Sequence, residues 1–140
     1  MPRKIALDTG PILAVFVKDD KYHAKALEYF SRTPAQFFTS LAVITEAIHL
    51  LDFRKELQRD LLRWIKSGAI EVVHQHLNDW NRIIELYEKY SDLPIDFADA
   101  SLVAICERLE IRQVATIDGD FRIYRYRNRQ SFENVFLDGG

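Results

Sequence analysis

The amino-acid sequence predicts an α/β protein, a three-layer α/β/α sandwich in which a mostly parallel sheet lies between two layers of helices. Short apolar runs alternate with longer segments whose apolar residues recur at helical spacing, and prolines and glycines separate the two kinds of segment. Parallel strands need long crossover connections, and the intervening helical segments supply them. The alternation therefore favours a sheet covered on both faces.

This pattern predicts four buried strands and six helices. The strands are expected at residues 4–7, 36–39, 69–73 and 113–117. The first helix is expected to begin at Ile12, after the Gly10-Pro11 turn. Four others are expected over residues 21–30, 41–51, 57–65 and 96–109. One more is expected to carry Trp80 to Tyr90, with Asn78 as its N-cap. Gly68 is expected as a C-cap. In the tail we expect a short helix over 122–126 and an edge strand within 132–137.

Length and composition limit the possible functions. The 140 residues, 48% of them hydrophobic, suit one domain spanning 1–140. A net charge of -2 gives no bulk attraction to nucleic acid, so any such contact requires a local basic patch. The lone cysteine, Cys106, excludes an internal disulfide and is expected to be a buried small apolar group.

The N-terminal segment imitates a secretory signal, but Asp8 and the Gly10-Pro11 turn interrupt its apolar run. Elsewhere the sequence lacks the run of about 20 apolar residues that a membrane span needs. We therefore expect a cytoplasmic protein that does not enter a membrane.

Four acidic residues stand at the ends of predicted elements. Asp8 follows the first strand and Asp118 the fourth, whereas Glu46 and Asp99 lie near the starts of two helices. Ligands of open α/β sheets bind outside the carboxyl ends of the strands, so these carboxylates are expected to converge there. Clustered carboxylates repel each other, and a divalent cation relieves the repulsion. Oxygen ligands favour Mg²⁺ or Mn²⁺.

Neighbouring residues compete for roles at this site. Asp96 has the spacing of a capping box with Asp99, which favours an N-cap over a metal ligand. Asp120 competes with Asp118, which we favour because it directly follows the strand; Asp120 would then hold a water or cap the next turn. Thr9, Thr39 and Thr116 are candidates for orienting carboxylates or waters, and equally for ordinary strand or turn residues.

The segment "RIYRYRNR" is a candidate nucleic-acid contact. It interleaves arginines with Tyr124 and Tyr126, a pattern that suits phosphate contacts and base stacking, although a solvated basic surface would look the same. The arginines that we expect to contact the nucleic acid are Arg122, Arg125 and Arg127.

Two other enzyme classes place an aspartate as this chain does. Asp8-Thr9-Gly10 after apolar residues resembles the active-site motif of the aspartic proteases. Those proteins are all-β, whereas this sequence alternates strands with helices. A haloacid-dehalogenase-like phosphatase would need a second acid two residues after Asp8, where this chain has Gly10.

Four motifs in order, "IALDTGPILA", "FFTSLAVITEAIHLL", "DLPIDFADASLVAICERL" and "VATIDGDFRIYR", resemble the PIN-domain nucleases. The likeness is greatest to toxins of the virulence-associated protein C type and spans residues 4–126. It implies an α/β/α sandwich and places the family's metal-binding acids on Asp8, Glu46, Asp99 and Asp118.

The resemblance implies a Mg²⁺- or Mn²⁺-dependent endoribonuclease, the toxin of a toxin-antitoxin pair. It also implies a homodimer and a small antitoxin whose amphipathic segment lies near the acidic pocket. Two alternatives stay open: a non-catalytic scaffold of the same fold, and a nuclease outside any toxin-antitoxin system.

Overall fold

A parallel sheet forms the centre of the protein in the computed structural model, which describes residues 2–137. The strands are β1 (Arg3–Leu7), β2 (Ala35–Ser40), β3 (Ile70–Val73), β4 (Gln113–Ala115), β5 (Arg125–Tyr126), β6 (Gln130–Ser131) and β7 (Glu133–Asn134). Five of them form one sheet in the order β3-β2-β1-β4-β7, and every pair in it is parallel. β5 and β6 form a separate antiparallel hairpin.

Helices connect the strands, as the alternation predicts. They are α1 (Thr9–Phe16), α2 (His23–Arg32), α3 (Leu41–Leu50), α4 (Lys55–Lys66), α5 (Leu77–Lys89) and α6 (Phe97–Leu109), followed by a 3-10 helix (Gly119–Arg122). α1 packs against α2, α3 and α4, whereas α6 packs against α3 and α5. The predicted α/β class is confirmed. None of the helices within residues 2–137 has the length and apolar character needed to cross a membrane.

The core lies around β1 and α6. Ile5, Ala6 and Leu7 are consecutive in β1 and all buried, so both faces of the strand are covered. Every residue from 98 to 106 in α6 is buried, and Cys106 is therefore the buried apolar group expected from the sequence. A helix buried on all sides holds its first turn in a fixed place, which matters for Asp99.

Three local predictions need correction. α1 begins at Thr9 rather than at Ile12, and Gly10 and Pro11 form its first turn instead of a turn before it, because a proline in the first turn of a helix lacks only an N–H that has no partner within the helix. α5 begins after His76 rather than Asn78, because the Asp79 carboxylate accepts a hydrogen bond from the His76 amide at 3.0 Å. The short helix predicted over 122–126 lies earlier, over Gly119–Arg122. Downstream of it the chain turns back into the β5–β6 hairpin through Arg127 and Asn128, whose positive φ angles of 50° and 61° are incompatible with a right-handed helix.

Other boundaries agree closely with the sequence analysis. The predicted edge strand is present as β7, although it is only two residues long, and β4 ends at Ala115 rather than at residue 117. Gly68 follows the end of α4 with a φ of +90°, the left-handed conformation expected of a glycine at this position.

Candidate metal centre

Sheet order brings the predicted acids to one edge. β1 lies between β2 and β4, so the chain segments that leave the carboxyl ends of these parallel strands are neighbours. Asp8 is the residue directly after β1 and the N-cap of α1, and Asp118 follows β4 and caps the 3-10 helix. α6 delivers Asp99 from its first turn.

Three carboxylates converge there. Asp8, Asp99 and Asp118 each offer one oxygen, and these oxygens all lie within 4.8 Å of one another. Asp8 and Asp99 are only 4% and 3% exposed, whereas Asp118 is exposed. The cluster therefore has two acids at its base and one at its mouth.

Each of the three carboxylates accepts a hydrogen bond from a neighbouring group. Thr116 Oγ1 donates to Asp8 Oδ2 at 2.7 Å, and the Tyr124 hydroxyl donates to Asp99 Oδ2 at 3.2 Å. The backbone amide of Asp120 donates to Asp118 Oδ1 at 2.9 Å. These bonds fix one oxygen of each carboxylate and so restrict its rotation.

Burial and mutual repulsion disfavour the ionised forms of the two deeper acids. Burial raises the pKa of Asp8 to about 6, with smaller contributions from the charges of Asp118 and Glu46 and partial compensation by the Thr116 hydrogen bond. Burial, followed by the charge of Asp8, raises the pKa of Asp99 to about 9. Two buried carboxylates that resist ionisation side by side are the arrangement that a divalent cation stabilises.

The donor set fits such a cation. All three groups are carboxylates, and no His or Cys joins them among the described residues. Hard oxygen donors of this kind suit Mg²⁺ or Mn²⁺ better than zinc.

Glu46 lies beside this cluster rather than within it. It is half-buried on α3, outside the group of three oxygens, but its charge acts on Asp8. Burial and the charges of Asp96 and Asp118 raise the pKa of Glu46. Thr9 Oγ1 is buried, and within the described residues it makes no hydrogen bond of ordinary geometry. It nevertheless lies close enough to Glu46 to lower the pKa of the Glu46 carboxyl. A metal-binding role for Glu46 stays a prediction.

The neighbouring acids divide their roles. Asp96 Oδ1 accepts hydrogen bonds from the amides of Ala98 at 2.6 Å and Asp99 at 3.4 Å, which is the N-cap role expected from the sequence. Asp120 is half-buried, and its pKa is raised by burial and by Asp118. The cap of the 3-10 helix is Asp118, not Asp120.

Hydroxyl groups tie the surrounding elements together. Thr116 Oγ1 also accepts a hydrogen bond from the Asp118 amide at 3.0 Å, so one side chain connects two of the acids. Thr39 Oγ1 donates to the Leu7 carbonyl at 2.7 Å, next to Asp8. Ser40 and Ser101, which the sequence analysis did not single out, share a buried hydrogen bond of 2.8 Å between the start of α3 and α6.

The basic segment is only partly available to a substrate. Tyr124 and Tyr126 are buried, so their rings are not the base-stacking surface that the pattern suggested. Arg125 Nη1 donates to the Arg122 carbonyl at 2.7 Å, and Arg127 Nη2 donates to the Glu107 carbonyl at 3.0 Å. Arg122 is exposed and lines a small cavity together with Asp118, so a contact with substrate stays a prediction for this arginine.

A larger cavity of about 620 Å³ adjoins the site between α3, α5 and α6. Glu46 and Asp96 border it, and its wall includes Trp80 and Phe97. These two rings stack with centroids 5.8 Å apart and are 45% and 42% exposed. The acidic cluster is therefore flanked by an exposed aromatic surface.

The chain is similar to known proteins in sequence and in fold. A family model described as the PIN domain matches residues 5–125. Among curated proteins, the chain is similar to Ribonuclease VapC26 of Mycobacterium tuberculosis, with 27% identity over 114 residues that cover 80% of this chain and 84% of that protein.

Two solved structures share the fold. One is Mycobacterium tuberculosis VapC20, described as a Sarcin-Ricin loop cleaving toxin, with a TM-score of 0.76 and 22% identity over 83% of this chain and 91% of that one. The other is a toxin-antitoxin complex from Klebsiella pneumoniae, with a TM-score of 0.63 and 19% identity over 84% of this chain and 89% of that one.

Proposed function

The chain belongs to the PIN domain family, and on that premise we propose that it is a Mg²⁺- or Mn²⁺-dependent endoribonuclease and the toxin of a toxin-antitoxin pair. The observation that carries the proposal is the convergence of Asp8, Asp99 and Asp118, whose oxygens lie within 4.8 Å of one another at the carboxyl edge of the sheet. The ribonuclease to which the chain is similar supports RNA as the substrate.

In the proposed reaction, the side chains of the protein hold the cation and orient the substrate. Asp8, Asp99 and Asp118 would bind the cation, and the two buried acids would lose their protons as it binds. When bound, the cation lowers the pKa of a coordinated water and neutralises charge on the scissile phosphate. Glu46 borders the site from α3 and stays a candidate ligand. Arg122 is exposed and stays a candidate contact for a substrate phosphate.

A covalent route through Cys106 has no structural support. The thiol is fully buried in α6, and burial and the charge of Glu107 raise its pKa. A nucleophilic thiol requires a lowered pKa and access to the substrate.

Replacing the buried acids tests the metal mechanism. We expect Asp8→Asn and Asp99→Asn to abolish Mn²⁺-dependent RNA cleavage and to leave the protein folded, because each change keeps the side-chain shape and removes a ligand charge. In EDTA at neutral pH, Asp99→Asn should melt at a higher temperature than the wild type, because the buried Asp99 carboxyl, whose pKa is raised, must take up a proton on folding and the amide need not.

The readouts are cleavage of a single-stranded RNA with and without EDTA, and thermal unfolding. Asp92→Asn, which changes an exposed aspartate outside the cluster, is the matched control and should behave like the wild type. Cleavage that survives EDTA, or full activity in either variant of a buried acid, would contradict the mechanism.

The alternative of a non-catalytic scaffold makes a different prediction for the metal. A cation that binds only the folded protein adds about 2.7 kcal/mol to the free energy of unfolding at 100 times its Kd. A protein with a preformed acidic site should therefore unfold at a higher temperature in Mn²⁺. The unfolding temperature of a scaffold without a working site should not change.

We further propose an antitoxin partner and a homodimer. A structurally similar protein was solved as a toxin-antitoxin complex. On this chain, Leu27 of α2 and Leu62 of α4 are exposed, and they offer apolar surface to an amphipathic antitoxin segment. Co-expression with a short neighbouring open reading frame tests this partner, and a protein that harms no host and purifies without a small partner would leave only the nuclease proposal standing.

A further inference from the structure

We infer that Tyr124 is a positioning residue of the candidate metal centre, whose hydroxyl holds the Asp99 carboxylate in the orientation that binds the cation. The inference rests on the proposed function. It gives a role to a residue that the sequence pattern placed among possible RNA contacts.

The Tyr124 ring is fixed by its surroundings. It lies just after the 3-10 helix, is only 3% exposed, and is partly enclosed by two other aromatic rings. Phe121 packs edge to face against it with centroids 5.2 Å apart, and Tyr90 does so at 5.5 Å. A ring clamped in this way cannot swing its hydroxyl away from Asp99 without disturbing the core.

The Tyr124 hydroxyl is hydrogen-bonded to the Asp99 carboxylate. It donates to Asp99 Oδ2 at 3.2 Å, and within residues 2–137 the Asp99 carboxylate has no other hydrogen-bond donor from the protein. Asp8 is held in the corresponding way by Thr116 at 2.7 Å. Removing the Tyr124 hydroxyl would leave the Asp99 carboxylate free to rotate, so cation binding would have to restrict that rotation as well.

Asp99 is the member of the cluster that most needs such support. It is buried beside Asp8, and once both carboxylates are ionised to bind a cation, their repulsion favours orientations in which their oxygens point apart. The Tyr124 hydrogen bond engages one oxygen and opposes that rotation. The ring packing is independent of this bond, which makes the two roles separable by experiment.

Tyr124→Phe removes only the hydroxyl and keeps the ring. Tyr90→Phe is the matched control, because it removes a hydroxyl from the same aromatic cluster, one that donates to the Ile123 carbonyl at 3.3 Å and touches none of the acids. Both variants are made in the full chain, and Mn²⁺ is the probe.

The measurement is the Mn²⁺ dissociation constant by calorimetry. We expect Tyr124→Phe to raise it roughly tenfold, the usual effect of losing a group that orients a metal ligand, and Tyr90→Phe to leave it unchanged. Thermal unfolding in EDTA should show similar small losses for both variants. RNA cleavage by Tyr124→Phe should be impaired at low Mn²⁺ and restored at high Mn²⁺, a rescue that a purely structural role would not produce.

The outcomes separate the inference from the proposed function. If the wild type binds Mn²⁺ and Tyr124→Phe binds it equally well, the inference is wrong and the nuclease proposal stands. Equal losses in the two variants would also overturn the inference, because they would indicate general loosening of the cluster. A wild type that does not bind Mn²⁺ would overturn both.

Discussion

Gly10 shows how a single residue sets the spacing of the acidic cluster. A Cβ atom at this position would lie 3.1 Å from the Ile117 Cβ and 3.2 Å from its Cδ1. Ile117 immediately precedes Asp118. The absence of a side chain at residue 10 therefore lets the start of α1 approach the segment that carries Asp118.

Substituting Gly10 tests this spacing. We expect Gly10→Ala to displace Ile117 by a few tenths of an ångström, to lower the free energy of unfolding by about 1 kcal/mol, and to weaken Mn²⁺ binding by moving Asp118 away from Asp8. Urea unfolding and Mn²⁺ calorimetry measure the two effects.

Gly119→Ala is the control, because a Cβ at that glycine meets nothing within 4 Å although it follows Asp118 directly. Its Mn²⁺ dissociation constant should equal that of the wild type. If Gly10→Ala binds Mn²⁺ as tightly as Gly119→Ala does, the close approach is not what sets the position of Asp118.

At the scale of elements, two ion pairs join α5 to α6, the helix that carries Asp99. Arg108 of α6 donates to the nearly buried Asp79 of α5 at 3.1 Å and to the His74 carbonyl at 2.7 Å. Arg82 and Glu107 form a second bridge between the same helices, at 2.9 Å. Burial alone would raise the pKa of Asp79, but hydrogen bonds from Arg108 and from the His76 amide outweigh it, and the pKa is lowered.

We expect Arg108→Ala to lower the free energy of unfolding by roughly 2–4 kcal/mol, because it leaves the Asp79 carboxylate buried without its cation. Arg63→Ala, which breaks an exposed pair with Asp60, should cost less than about 1 kcal/mol. Urea unfolding measures both. Equal losses in the two variants would show that the buried pair contributes no more than a surface pair.

The same pair has a pH signature with a definite sign. A carboxyl whose pKa is lowered in the folded state stabilises the fold above its unfolded pKa of about 3.9, and that stability is lost as the pH falls. The difference between wild type and Arg108→Ala should therefore be largest near neutral pH and shrink below about pH 4. A difference that stays constant down to acid pH would exclude the ionised Asp79 as its source.

At the scale of the whole molecule, an exposed aromatic surface borders the candidate site. Trp80 and Phe97 stack beside a cavity of about 620 Å³, and Leu41 at the start of α3 is also exposed there. Contiguous apolar surface of this kind is typical of an interface. A second copy of the chain meeting it would set two acidic clusters near each other.

We expect the wild type to be a dimer and Trp80→Ala to shift it towards the monomer, because an exposed tryptophan at the centre of an interface usually contributes much of the binding energy. Light scattering over a range of concentrations measures the change. Leu62→Ala, at an exposed apolar residue on α4, should leave the oligomeric state unchanged. A wild type that is monomeric at every concentration would contradict the dimer.

The sequence by itself determined the type and order of the main elements and the place of the acids. Apolar periodicity is a local property of the chain, and so is the helix end at Gly68. Because parallel strands of such a sheet share one carboxyl edge, the positions of Asp8 and Asp118 after two strands were enough to predict their meeting.

Only the tertiary structure decided how the acids are held and which neighbours are free to act. Thr116 and Asp8 are bonded across 108 positions of sequence, and Tyr124 reaches Asp99 across 25. The alternation of tyrosine and arginine in the tail looked like a nucleic-acid surface, but packing buried the tyrosines and left Arg122 exposed. Local periodicity carries no information on such contacts, because they depend on how distant segments pack against one another.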